Sequence, residues 1–288
     1  MQAFQRHRGL RANGDCDEAT WLALVEASWR LGDRPLRLVA PYQRGDDVQA
    51  LQTLLGKLGF DCGRTDGIFG PITSRALARF QRDCGLLVDS VCNPETVRAL
   101  EVNSARSGSG PGVASIREVE RLGAIVPSLR DLRVVIGQFG GLAPLAHHVA
   151  TALRQRSANV VVVGELDPSW QASAANRHRA DVYIGFEARA DDHSTVSFYA
   201  TPGFESAGGR SLAARIAGSV GAVLGPVAAT GMRLSVLRET KMTAVVCALG
   251  PVHDVIDGTE RVTTAVVEAL GGWAAAPLDV LAANAPTS

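Results

Sequence analysis

The spacing of apolar residues differs between the two halves of the chain. In the first hundred residues apolar positions recur every three or four residues, as in 45–60, where Val48, Leu51, Leu54, Leu55 and Leu58 share one helical face. Beyond residue 130, short β-branched runs alternate with helical patterns. The first pattern predicts a small three-helix bundle, and the second predicts an α/β domain with a mainly parallel sheet.

The α/β half can be divided into individual elements. Strands are predicted over 133–136, 159–163, 181–186, 195–199 and 243–249, and helices over 143–156, 168–179, 209–224 and 259–273. A Ser- and Gly-rich stretch, "NSARSGSGPGVAS" over 103–115, separates this half from the helical one and is typical of a linker. We therefore expect five regions: a partial helical repeat (1–40), a complete helical module (41–102), a linker (103–130), the α/β domain (131–274) and a tail (275–288).

The helical half contains an internal repeat. Phe4–Leu24 aligns without a gap with Phe80–Leu100, which lies 76 residues later, and the two share Phe-Gln-Arg, Gly-Leu, Cys, Thr and Ala-Leu positions. The second copy is complete, whereas nothing before Met1 supplies a first helix and turn for the first copy. Either the start is assigned too far downstream, or the fragment packs as a supplement on the second unit.

Composition and charge narrow the possible partners. The 288 residues include 29 Lys plus Arg and 29 Asp plus Glu, so the net charge is zero and does not indicate nucleic acid or anionic lipid as a partner. The N-terminus has no apolar stretch of secretory length, and no later segment reaches the roughly 18 apolar residues of a membrane helix. We expect a cytoplasmic protein without a membrane span.

The five cysteines lack CxxC spacing. In a reducing compartment we expect them to be small buried hydrophobic residues, and a disulfide is the less favoured interpretation. Cys247 ends a strand pattern and could be a nucleophile, but its apolar neighbours predict a buried, unreactive thiol.

Residues 45–101 resemble the peptidoglycan-binding module of cell-wall hydrolases. The resemblance rests on Leu51-Gln52, "LGF" over 58–60, "DGIFGP" over 66–71 and Phe80-Gln81. The apolar members are expected to fold the bundle. Three polar residues beside the turn are candidates for binding sugar or peptide, although they could equally decorate the surface: Arg64, Asp66 and Gln81.

Residues 131–274 resemble the zinc-dependent N-acetylmuramoyl-L-alanine amidase family. The resemblance rests on "ADVYIGFEARA", "FYATPGFESAGGRSLAARI" and "LSVLRETKMTAVVCALG", which occur in the family's order and spacing. It implies an α/β fold and a zinc ion held by two His and one Glu. A further Glu would act as the base for the water that attacks the lactyl amide.

The positions that the resemblance assigns to zinc chemistry hold other residues in this chain. Phe139 stands at the first His position, Glu187 at the second and Ala248 at the catalytic Glu position. The region between Asp131 and Glu165, where the third ligand should begin a helix, contains no Asp or Glu. We therefore expect the family's zinc to be lost, with Phe139 filling its pocket.

The histidines offer no obvious replacement ligand set. They are scattered along the chain and are expected at the surface: His147, His148, His178, His193 and His253. Glu187 and His253 both lie near strand ends and could meet, but two ligands bind zinc poorly.

Together these features favour a catalytically inactive, peptidoglycan-binding regulator or scaffold of cell-wall synthesis. The pairing of such modules with a signal-less amidase domain resembles actinobacterial amidase-like regulators. The resemblance of the helical module implies peptidoglycan or its precursors as the ligand. The likeness to these regulators implies a cytoplasmic enzyme of precursor synthesis, the enolpyruvyl transferase, as the partner. The alternative is a working N-acetylmuramoyl-L-alanine amidase with an unconventional site.

Overall fold

The structure, a computed structural model, describes residues 1–105, 112–125, 128–201 and 204–278. Its contacts divide the chain into two compact units, one formed mainly by Met1–Arg117 and the other mainly by Glu118–Thr201 with the residues from Glu205 onward. Parts of the expected linker and most of the expected tail, over 279–288, lie outside the described residues.

The first unit is helical. Its helices are α1 (Gln2–His7), α2 (Glu18–Ala27), α3 (Asp46–Lys57), α4 (Pro71–Asp83) and α5 (Pro94–Ser104). Helices α3 to α5 form the predicted three-helix module, and a proline at the first position opens both α4 and α5. Val48, Leu51, Leu77 and Phe80 pack in its core with less than 2% of their surface exposed. The predicted bundle is confirmed.

A buried glutamine fixes the turn that leads into α5. The Nε2 of Gln81 donates to Oδ1 of Asp89 (2.9 Å), the carbonyl of Val91 (3.0 Å) and Oγ1 of Thr96 (3.4 Å). Its Oε1 accepts from the amide of Ser90 at 2.9 Å. One side chain therefore ties a helix to the next turn and to the helix after it. We call this arrangement a glutamine clamp.

The same clamp occurs twice more in the first unit. Gln52 bonds Asp66, Gly67, Ile68 and Thr73, and Gln5 bonds Asn13, Gly14, Asp15 and Thr20, with the same atoms in the same roles. The middle residue of each turn has a positive φ: 93° at Gly14, 70° at Gly67 and 58° at Ser90. The repeat found in the sequence is therefore a repeat of one structural device.

The first copy contributes two helices to the unit but leaves an apolar face uncovered. On α2, Trp21, Leu22 and Val25 are 61%, 54% and 41% exposed. The position equivalent to Trp21 in α5 is Val97, which is 7% exposed and belongs to the core that α3 also lines. No described helix of the first copy plays the part of α3. An ion pair between Arg8 and Asp46 at 2.6 Å ties the first copy to α3.

The second unit contains a mixed sheet covered by helices. Its elements are β1 (Arg133–Gln138), α7 (Ala143–Gln155), β2 (Asn159–Val162), α8 (Pro168–Arg177), β3 (Val182–Ala188), β4 (Ser194–Thr201), β5 (Phe204–Glu205), α9 (Ala207–Leu224), β6 (Val227–Met232), α10 (Ser235–Glu239), β7 (Thr243–Leu249), α11 (Val252–Asp257) and α12 (Thr259–Ala275). The described strands follow the order β2-β1-β3-β7-β4-β5, and β6 also pairs with β4.

Most strand pairs in this sheet are parallel, as predicted. β1 pairs in parallel with β2 and β3, and β3 pairs in parallel with β7, while β4 runs antiparallel to β7. The buried side chains of these strands and of α7, α9 and α12 form one core. Since β1, β3 and β7 are adjacent and parallel, their carboxyl ends share one edge of the sheet.

Some elements were not predicted. The expected linker contains a further helix, α6 (Val113–Gly123), whose Leu122 is 1% exposed and whose Glu118 accepts hydrogen bonds from Ser206 and Gly208. The linker prediction is therefore wrong for 113–123, because the buried contacts of Leu122 and Glu118 hold this segment as a helix. Strands β5 and β6 and helices α10 and α11 were also missed. β6 is mostly solvent-exposed and lacks apolar alternation.

Within the described ranges, no helix has both the length and the apolar character that a membrane span requires.

Candidate functional site

The structure brings together the three positions that the amidase resemblance assigns to zinc chemistry. Phe139 directly follows β1, Glu187 lies near the end of β3, and Ala248 lies near the end of β7. Glu187 and Ala248 are register partners, and the amide of Phe139 donates to the carbonyl of Phe186 at 2.8 Å. All three therefore lie at the carboxyl edge of neighbouring parallel strands.

The ring of Phe139 occupies space beside β3. A Cβ atom added to Gly185 would lie 2.9 Å from Cε2 of Phe139, so the glycine leaves room for the ring. Phe139 itself is only partly buried. That its side chain fills the former metal pocket therefore stays a prediction.

A buried polar network lies beneath this edge. Tyr183, fully buried, donates its hydroxyl to Oε1 of Gln171 at 2.6 Å. The Nε2 of Gln171 donates to the carbonyls of Gln138 (3.0 Å) and Glu165 (2.8 Å). Burial raises the pKa of Tyr183, so its hydroxyl stays protonated and acts as a donor. The network fixes the end of β1 and is not available for proton transfer at neutral pH.

Sequence reasoning missed this network, although one residue signals it. A Cβ atom at Gly137 would collide with Oε1 of Gln171 and with the hydroxyl oxygen of Tyr183. A glycine inside a β-branched strand indicates close approach by another group. Gly137 is therefore required by the network rather than by a turn.

The start of α7 offers no acidic ligand. The helix begins at Ala143 with Leu142 as its N-cap, and its first turn contains no Asp or Glu. His147 and His148 lie on this helix, but their Nδ1 atoms each approach a carbonyl of the same helix at 2.8 Å. Both side chains bond within α7.

The donor atoms at this edge do not fit a catalytic zinc site. Neither Phe139 nor Ala248 has a donor atom, and Glu187 has a single carboxylate, whereas such a site needs three protein ligands. Over the described ranges, no three His, Cys, Asp or Glu side chains are grouped so as to hold a metal ion. His253 is 76% exposed beside Asp254. Loss of the family zinc remains a prediction.

The cysteines give a mixed result. All five lie in the described residues and are free. Cys247 is fully buried, as predicted, and burial raises the pKa of its thiol to about 12, so the thiol stays protonated at neutral pH. Cys62 and Cys92 are also buried. Cys16 and Cys84 are exposed, so the expectation of burial is wrong for them.

The candidate ligand residues of the helical module have different environments. Gln81 is 0% exposed and its amide is used by the glutamine clamp, so assigning it to ligand binding is corrected: it holds the fold. Oδ1 of Asp66 accepts from Gln52 and from the amide of Ile68, both at 2.9 Å, in the same clamp role as Asp89. Arg64 lies partly exposed beside the turn. Arg64 is the better remaining candidate.

Comparison with known proteins agrees with these two units. Residues 44–100 match the peptidoglycan binding domain family. The chain is 34% identical to N-acetylmuramoyl-L-alanine amidase CwlM of Mycobacterium tuberculosis over 311 aligned residues, which cover 94% of this chain and 74% of that protein.

Solved structures are similar over about half of the chain. The amidase AmiC2 of Nostoc punctiforme is 13% identical with a TM-score of 0.43, covering 50% of this chain and 98% of that one. The amidase Ami1 of Mycobacterium smegmatis is 12% identical with a TM-score of 0.42, covering 51% and 98%. On the extent and identity of the match to the Mycobacterium tuberculosis protein, this chain belongs to the family of N-acetylmuramoyl-L-alanine amidase CwlM.

Proposed function

We propose that this chain is a peptidoglycan-binding, catalytically inactive amidase-like protein that regulates or scaffolds peptidoglycan synthesis in the cytoplasm. The observation that carries the proposal is the composition of the strand edge. Phe139, Glu187 and Ala248 occupy the amidase positions on adjacent strands, yet only one of them has a side chain that can bind a metal or a proton.

The rest of the second unit supports a retained folded surface. Its strands β3 and β7 pair over seven residues, and β7 is buried along its whole length. The side chains beneath the edge satisfy one another through the Gln171 and Tyr183 network. A domain that keeps its core while losing its chemical groups suits binding rather than hydrolysis.

The helical module supplies the proposed recognition of peptidoglycan or its precursors. Arg64 lies beside the "DGIFGP" turn, which the glutamine clamp of Gln52 holds rigid through Asp66 and Gly67. A cation on a rigid loop is suited to the carboxylates of a stem peptide. The proposed protein partner is the enolpyruvyl transferase of precursor synthesis.

Binding can be tested with the full chain and insoluble peptidoglycan. We expect the protein to sediment with sacculi, and Arg64→Ala to reduce the bound fraction. Arg75→Ala, which alters an exposed arginine of α4, is the matched control and should leave binding unchanged. No sedimentation of the unaltered chain would argue against peptidoglycan as ligand.

The regulatory part needs a separate measurement. Purified enolpyruvyl transferase from the same organism should change its rate when the chain is added at stoichiometric amounts. An unchanged rate together with no complex on size-exclusion chromatography would remove that partner from the proposal.

A further inference from the structure

A basic cavity lies at the edge of the sheet opposite to Phe139, Glu187 and Ala248. Arg133 begins β1, Thr243 begins β7 and Asp181 directly precedes β3, so these residues mark the amino-terminal edge. They line a cavity of about 310 Å³ together with residues from α6, α8 and the segment before β7. None of the positions that the amidase resemblance assigns to zinc chemistry in this chain lies at this edge.

The cavity has an excess of positive charge. Among the described residues, Asp181 is the only carboxylate that lines the cavity. Four cationic side chains line it: Arg121, Arg133, Arg179 and Lys241. Arg133 is paired with Asp181 through two bonds, Nη2 to Oδ1 at 2.6 Å and Nε to Oδ2 at 3.0 Å. This pair is neutral, so the lining keeps an excess of positive charge from its other three cations, of which Arg121 also attracts the Asp181 carboxylate.

Two of those cations have no side-chain hydrogen bond or ion pair to the described residues. Within the residues that the structure describes, the side chains of Arg179 and Lys241 make no hydrogen bond or ion pair, whereas Arg121 donates Nη1 to the carbonyl of Lys241 at 2.6 Å. That bond orients the guanidinium of Arg121 without neutralising it. An anion entering the cavity would therefore find unpaired donors.

The backbone around these cations is held in place. The amide of Lys241 donates to Oδ1 of Asn176 at 2.9 Å, and Nδ2 of Asn176 donates to the carbonyl of Glu239 at 2.8 Å. Arg179 follows α8 in a left-handed conformation with φ of 48°. Ordered backbone reduces the entropy that ligand binding would cost.

We propose that this cavity binds a phosphate-bearing small molecule, with Arg121, Arg179 and Lys241 as its anion ligands. Phosphate and diphosphate groups carry two or more negative charges and several acceptor oxygens. They therefore match three cations better than a ligand with a single carboxylate group does. Ile125 and Met242 add apolar surface for the rest of the molecule. The zero net charge of the chain fits a small ligand better than a nucleic acid.

The test is calorimetric titration of the full chain with inorganic pyrophosphate and with acetate. We expect saturable binding of pyrophosphate, much weaker binding of acetate, and an affinity for pyrophosphate reduced by about tenfold or more in Arg179→Ala and in Lys241→Met, since each removes a charged hydrogen-bond donor. Arg177→Ala, an exposed arginine on α8 that does not line the cavity, should bind as the unaltered chain does.

Two results would overturn the proposal. One is no saturable pyrophosphate binding by the unaltered chain, and the other is equal affinity in the cavity variants and Arg177→Ala. Thermal unfolding of each variant shows whether it is folded, and the two single substitutions at separate positions keep the test decisive if one of them destabilises the unit.

Discussion

Glu187 and Ala248 lie directly opposite each other as register partners on the parallel strands β3 and β7. The amidase resemblance assigns a metal ligand to the first position and the general base to the second. The pair therefore places a carboxylate beside a methyl group where hydrolysis needs an imidazole beside a carboxylate. The Glu187 side chain can accept a proton or bind a cation, whereas the Ala248 side chain can do neither.

The double substitution Phe139→His with Ala248→Glu should not create zinc-dependent amidase activity. The first turn of α7 still contains no acidic ligand, and position 187 holds Glu rather than His. The measurement is peptide release from muropeptides with added zinc. Robust, chelator-sensitive cleavage by the double variant would show that the site was nearly complete.

Gln81→Ala should destabilise the helical unit. It removes a buried side chain that makes four hydrogen bonds and leaves the amide of Ser90 and the side chain of Thr96 without this partner. We expect a loss of about 2–4 kcal/mol in the free energy of unfolding, measured by urea denaturation. Arg82→Ala, at an exposed neighbouring position, is the control. Equal midpoints for the two variants would contradict the clamp.

The middle residue of each clamp turn allows a paired test. Ser90 adopts a φ of 58° and Gly67 a φ of 70°, both in the left-handed region. Ser90→Gly should therefore stabilise the unit and Gly67→Ala should destabilise it, each by about 1 kcal/mol. Thermal unfolding measures both. Shifts of the same sign would show that backbone conformation does not control these turns.

The Arg133 and Asp181 pair should make stability depend on pH. Burial alone would raise the pKa of Asp181, but hydrogen bonds from Arg133 lower it below its usual value. A carboxyl with a lowered folded pKa stabilises the fold above its unfolded pKa of about 3.9, and this contribution is lost as the pH falls through the folded pKa. Asp181→Asn should therefore lose stability at pH 6 and show less further loss on acidification than the unaltered chain.

The control for this measurement is Asp192→Asn, since the side chain of Asp192 is 83% exposed. Urea unfolding at pH 6 and pH 3 gives the required free energies. Parallel pH profiles for the unaltered chain and Asp181→Asn would contradict the assignment.

Sequence patterns predicted the main elements of both units because their apolar spacing is regular. The three-helix module and five of the strands follow from that spacing alone. β6 could not be predicted in this way, because its side chains are mostly exposed and its pairing with β4 is a tertiary effect. α6 was not predicted, because the Ser- and Gly-rich stretch before it indicated a linker.

The sequence predicted where the candidate site residues lie along the strands, but not which side chains they contact. Mapping the resemblance placed Phe139, Glu187 and Ala248 at strand ends, and the sheet order brought them together. The role of Gln81 was misassigned, because a polar residue in a helix does not reveal from sequence that tertiary contacts bury it. The contacts of Gln171 and Tyr183 likewise depend on residues from separate elements meeting in space.

Zinc content and amide cleavage, measured together on the purified full chain, test the central claim most directly. The chain is supplied with zinc, dialysed, assayed for bound metal, and incubated with muropeptides with and without a chelator. The degenerate edge predicts bound zinc well below one equivalent and no release of peptides, since neither Phe139 nor Ala248 offers a donor atom. One equivalent of zinc with peptide release that the chelator abolishes would contradict the account and establish a working amidase.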